Sequence, residues 1–181
     1  MVEKTLENLR DRSESKLRYA EIHLDELKSL DSIDGSDFDR AHQESFLFHL
    51  LGAKDAFLIE LVAYYGLTIS ERDLTAGKLR DEFKKKEKTC PELAELFTLE
   101  NDKNSWLFHA KEMRDHAIHI SAISRQYNLG GEADGQVWLS NPVTGQKIQR
   151  HFVEEFIDWV SNMKTLLERL RTTAIVNNTK T

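Results

Sequence analysis

Phe46-Leu47-Phe48-His49-Leu50-Leu51, followed shortly by Phe57-Leu58-Ile59-Glu60-Leu61-Val62-Ala63-Tyr64-Tyr65, is apolar on most faces of a helix. A helix with almost no wet side belongs at the centre of a bundle. Ser36 with Asp39 three residues later resembles a capping box that starts this helix, and Gly66 ends it. Its neighbours carry one apolar stripe each. Leu6, Leu9, Leu17, Ala20, Leu24 and Leu27 recur near three-and-four spacing and predict a first helix over residues 3–30, closed by a turn at Asp31 to Gly35. Ser70 with Asp73 repeats the start signal for a third helix ending in Lys84 to Lys88, and Pro91 opens a short fourth, Glu92 to Leu99.

After a polar loop at Asn101 to Asn104, Trp106, Ala110, Met113, Ala117 and Ile120 form the stripe of a fifth helix. Gly130-Gly131 breaks the chain. Asn141-Pro142-Val143-Thr144-Gly145 between two short extended runs predicts a small β-hairpin over residues 136–149. The closing helix, 150–172, places Phe152, Phe156, Val160, Met163, Leu167 and Leu170 on one seam. The expectation is an all-α, up-and-down helical bundle with one hairpin excursion: a single domain over 1–175 and a polar tail at 176–181. With 181 residues and only eight Gly and two Pro, one core and long helices are what the chain can build.

The amino terminus is charged from the start, and the apolar run from Phe57 to Tyr65 is far short of a membrane span and carries Glu60. A cytoplasmic protein with no membrane attachment is expected. The lone Cys90 fits a reducing compartment and excludes an intrachain disulfide. A net charge of −6 argues against broad non-specific DNA binding, so any nucleic-acid site must be local. Apolar residues at 40% against 31% charged make a lean core that an oligomeric interface would complete.

The chemistry concentrates in the fifth helix, at Arg114-Asp115-His116-Ala117-Ile118-His119. This run resembles the R-x4-H motif of the HEPN superfamily, with its polar second residue. The resemblance implies a small helical bundle in which Arg114 and His119 hold the two signature positions and Asp115 the polar one. It implies metal-independent endoribonuclease activity without a cofactor, in a toxin or defence setting, or else a non-catalytic module that binds RNA, a nucleotide or an antitoxin. It further implies a homodimer through this helix, with an antitoxin or nucleotidyltransferase as a partner. Arg18 to His23 repeats the spacing, but with Tyr19 second and in the first helix.

The residue types carry the same reading without the family. Cleavage of RNA by its own 2′-hydroxyl needs a group that moves protons near neutral pH and a cation for the crowded phosphate, the roles His119 and Arg114 suit. Asp115 and His119, four apart, predict a carboxylate that fixes the imidazole tautomer. Five residues at about 100° put Arg114 and His119 roughly 140° apart around the axis, a poor aim at one phosphate that a two-fold axis would relieve. The alternative is a pair of solvated residues bonded to neighbouring acids.

His116 supports the site or joins His109 in a metal cluster, for which no third ligand stands at matching spacing. Glu60 and His49 lie on a strip of small residues, Gly52, Ala53, Ala56 and Ala63, where another helix can approach. They either back the fifth helix or, more plainly for Glu60, join an ion pair at the bundle edge. Glu92/Glu95 and Glu155/Asp158 have the form of the carboxylate pairs in all-α nucleoside-triphosphate pyrophosphatases, but stand more than sixty residues apart.

Overall fold

The computed structural model describes residues 5–30, 36–70, 74–120, 123, 125–132 and 135–178. Six helices make the bundle: α1 (Leu6–Ser29), α2 (Asp37–Tyr64), α3 (Ala76–Lys85), α4 (Pro91–Asn101), α5 (Trp106–His119) and α6 (Phe152–Asn178). The Ser36 hydroxyl accepts a hydrogen bond from the Asp39 amide at 3.3 Å, the N-cap expected of α2. Gly66 takes φ +59°, a left-handed turn that a side chain would strain, and α2 stops there.

α2 is the axle. Phe46, Leu47, Leu50, Leu51, Phe57 and Leu61 are fully buried between α1, α5 and α6, each burial worth about 1.5–3 kcal/mol. His23 meets His42 near one end of the α1/α2 pair and Ser13 meets Glu60 near the other, so the two helices run antiparallel. Phe46 stacks on Phe156 and Glu60 bonds Arg171 in the same order, so α6 runs parallel to α2. The all-α bundle expected from the stripes is present.

The hairpin is there and has a third strand. β1 (Arg125–Tyr127), β2 (Val137–Ser140) and β3 (Lys147–Ile148) form an antiparallel sheet in that order, with Leu139 opposite both Arg125 and Ile148. Asn141 shapes the expected turn, its Oδ1 accepting from the amides of Val143 and Thr144, each at 2.9 Å. β1 escaped the periodicity because tertiary contacts hold it. The Arg125 guanidinium donates at 2.5 Å to Asp39, a fully buried carboxylate at the start of α2.

Two boundaries move. The third helix begins at Thr75, whose hydroxyl accepts from the Lys78 amide at 3.1 Å, rather than at Ser70. Asp73 of that capping signal and the turn at 31–35 lie outside the described residues. α6 continues to Asn178, so 176–178 are helix, not tail. The reason is packing at its end, where Ala174 is buried and the Asn177 amide donates to Glu92 at 3.2 Å.

Candidate functional site

α5 is set by Ser105, whose hydroxyl accepts from the Leu107 amide at 3.1 Å, and by a buried stripe of Leu107, Ala110 and Met113. With that stripe inward, the far half of the helix turns Arg114, Asp115, Ile118 and His119 toward α1 and α2. All four line a cavity of about 360 Å³ whose opposite wall is Arg12 and Lys16 of α1 with Phe48 and Asp55 of α2. Arg114 and His119 therefore reach one space within a single chain despite their angular separation. Their long side chains and the concave α1/α2 wall close the gap.

Arg114 is mostly buried. It donates from Nε and Nη2 to Asp115 Oδ1 at 3.0 and 2.8 Å, and from Nη1 to Asp55 Oδ2 at 3.4 Å. Each carboxylate has a second cation, Lys111 Nζ at 3.2 Å from Asp115 and Lys54 Nζ at 3.2 Å from Asp55. Burial alone would raise the Asp115 carboxyl, but Arg114 and Lys111 outweigh it and hold the group below its ordinary range. Lys16 pairs with no carboxylate among the described residues. It lies 5.2 Å over the Phe48 ring and 3.5 Å from His49 Nδ1. With Asp55 and Asp115 each shared between Arg114 and a lysine, Lys16 is the cation on the cavity wall that an anion can take up.

His119 is exposed and has no hydrogen-bond partner among the described residues. The expected Asp115–His119 bond is absent, because adjacent Arg114 and one-turn-distant Lys111 take both oxygens of Asp115. His116 is half-buried and does not line the cavity; its carbonyl accepts from the Ile120 amide at 2.8 Å and closes the helix.

A family model matches residues 7–175, from the first turn of α1 into the last turns of α6. The chain belongs to DUF6586, a family of unknown function. No curated protein and no solved structure matches it significantly. For this DUF6586 chain the site must accordingly be read from its own residues.

Glu60 does not back α5. It is fully buried and bonded to Arg171 at 2.9 and 3.0 Å, with the Ser13 hydroxyl 2.5 Å away, which is the ion pair its burial demands. His49 stands closer to the site, through Lys16, and stacks on His23 with ring centroids 5.5 Å apart. Burial, then Lys16 and His23, lowers the His49 pKa and favours its neutral form. Among the described residues no group of three His, Cys, Asp or Glu is placed to hold a metal ion. The two carboxylate pairs are spoken for separately: Glu92 by Tyr65 at 2.8 Å, Glu95 by Arg169, and Glu155 and Asp158 by Arg150. Sequence reasoning passed over the α1 wall. Arg12 and Lys16 stand four apart, a spacing that puts two cations on one helical face.

Proposed function

We propose that this chain is a HEPN-type, metal-independent endoribonuclease acting in the cavity between α1, α2 and α5. The observation that carries the reading is the convergence of Arg114 and His119 on one cation-lined space large enough for a phosphodiester and its flanking groups. Arg114 and Lys16 hold the phosphate and offset the charge that grows on it. His119 takes the proton from the 2′-hydroxyl as that oxygen attacks phosphorus. The P–O5′ bond breaks, leaving a 2′,3′-cyclic phosphate and a 5′-hydroxyl that must receive a proton.

One imidazole cannot give and take a proton in the same step. A second copy placed by a two-fold axis through α5 supplies the other, with exposed Ile118 and Ile120 beside the contact. A cytoplasmic toxin or defence role, held in check by an antitoxin or a nucleotidyltransferase, fits such an activity. No helix among the described residues is long and apolar enough to cross a membrane.

A second reading has its own support. Arg114 is already bonded to Asp115 and Asp55, and an arginine so engaged suits a non-catalytic module that binds RNA, a nucleotide or an antitoxin. Cleavage of a mixed RNA in excess chelator separates the two readings. Products ending in cyclic phosphate support the enzyme, whereas binding without cleavage supports the module.

A further inference from the structure

α1 and α2 present an unusual face beside the cavity. Starting from Phe48 on the cavity wall, an unbroken series of ring contacts leads away from it. The Phe48 ring meets His49 edge-on at 5.3 Å, and His49 stacks on His23 at 5.5 Å. His23 Nδ1 lies 3.2 Å from His42 Nδ1, and His42 packs on Phe38 at 4.3 Å. Tyr19 joins from the side, 5.3 Å from His49. Phe38, Tyr19 and Phe48 are 53%, 47% and 53% exposed, so large ring faces stand in water at both ends of the series. From Phe38 to Phe48 the ladder runs about 15 Å along α2, ten residues at about 1.5 Å each.

We infer that this Phe38–His42–His23–His49–Phe48 ladder is a stacking track for single-stranded RNA that feeds the Arg114–His119 cavity. Two features together select that ligand. Exposed rings at intervals offer every base a π-face, and Lys16 with Arg12 and Arg114 at one end offers cations for the backbone. A duplex keeps its bases stacked on one another and cannot use the rings. An apolar protein partner would leave Lys16 buried without a carboxylate, a costly arrangement. RNA rather than DNA follows from the proposed cleavage, on which the inference rests, because that reaction needs a 2′-hydroxyl. The track gives the strand a direction: bases settle on Phe38, Tyr19 and the histidines while the following phosphate enters beside Lys16.

The test uses the full chain carrying His119→Ala, which keeps RNA intact, and a fluorescent single-stranded RNA of about ten nucleotides, within the usual span of such platforms. Phe38→Ala and Tyr19→Ala, both at exposed rings that folding does not need, are each expected to weaken binding about tenfold or more. The duplex form of the same RNA is expected to bind more weakly than the strand. With His119 restored, Phe38→Ala should cut a dinucleotide at the parent rate and raise KM for the long strand. Unchanged affinity in both ring variants overturns the track, and does so even if the dinucleotide is cut. Ring-dependent binding by a chain that cuts nothing upholds the track and removes the cleavage reading instead. If Phe38→Ala turns a dimer into a monomer in sedimentation yet binds RNA like its parent, the face is a contact between copies and the track is overturned.

Discussion

The Asp115 carboxylate accepts two hydrogen bonds from its neighbour Arg114, at 3.0 and 2.8 Å, and none from His119. Asp115 is therefore a positioning residue for the guanidinium. Asp115→Asn is expected to lower kcat about tenfold by loosening Arg114, within the span that misplaced groups cost. KM should change less than kcat, since the guanidinium is loosened and not removed. A kcat in Asp115→Asn equal to the parent's would remove Asp115 from the account.

The Glu60–Arg171–Ser13 group predicts a stability effect without a catalytic one. Both ions are nearly sealed from water, so removing one strands the other. Arg171→Ala is expected to cost about 3–5 kcal/mol. In a chain of this size that lowers Tm by roughly 6–20 °C, read by circular dichroism. Glu60→Met with Arg171→Leu should restore most of the loss, because a buried ion pair seldom outperforms well-packed apolar groups. A single variant as stable as its parent would contradict the burial.

How far the bundle was legible from sequence follows from where its causes lie. Apolar stripes and caps are local and found each of the six helices, including the Ser36 cap and the Gly66 stop, though the Ser70 signal started α3 five residues early. β1 was invisible because its cause is distant: Arg125 is held by Asp39, eighty-six positions away, and a three-residue strand has no period to read. The end of α6 was misjudged for the same reason, as Asn177 answers to Glu92. In the site, the placing of Arg114 and His119 five apart on one helix was readable. What could not be read was that α1 would set Arg12 and Lys16 opposite them, or that Arg114 would reach Asp115 before His119 did.

His109 predicts an acid-sensitive link between α5 and the sheet. It is buried, and its Nδ1 lies 3.0 Å from the Nδ2 of Asn141, the residue that shapes the hairpin turn. The amide donates and the imidazole accepts, so the bond requires a neutral Nδ1. Burial lowers the His109 pKa below 6.5, against a smaller opposing pull from Asp102. Between that lowered value and about 6.5 the unfolded chain binds more protons than the folded one, so stability rises with pH there. The contribution is complete above about pH 6.5 and is lost as pH falls through that window. His23 and His49, also lowered by burial first, act in the same sense. Urea unfolding from pH 7.5 to 5 should show the decline, and His109→Gln should flatten part of it. Equal slopes in parent and variant would remove His109 from the account.

The proposed reaction gives the severest test. His119 is exposed on the cavity and Arg114 is fixed beside it, so truncating either should leave the fold intact while removing one chemical role. His119→Ala is expected to slow cleavage about a hundredfold or more, the scale of a lost general acid or base. Arg114→Ala should cost a similar factor through lost charge stabilisation, and Lys16→Ala a smaller one seen mainly in KM. Arg18→Ala is the control. That residue repeats the motif spacing in α1, yet it pairs with Asp11 at 3.2 Å and lines a different groove, between α1 and α6, so its loss should leave the rate unchanged. Rates are compared at equal folded concentration in excess chelator, with the product ends assayed for 2′,3′-cyclic phosphate. Activity that vanishes with chelator, or that survives in both His119→Ala and Arg114→Ala, would end the metal-independent mechanism and leave the RNA-binding module as the account of this cavity.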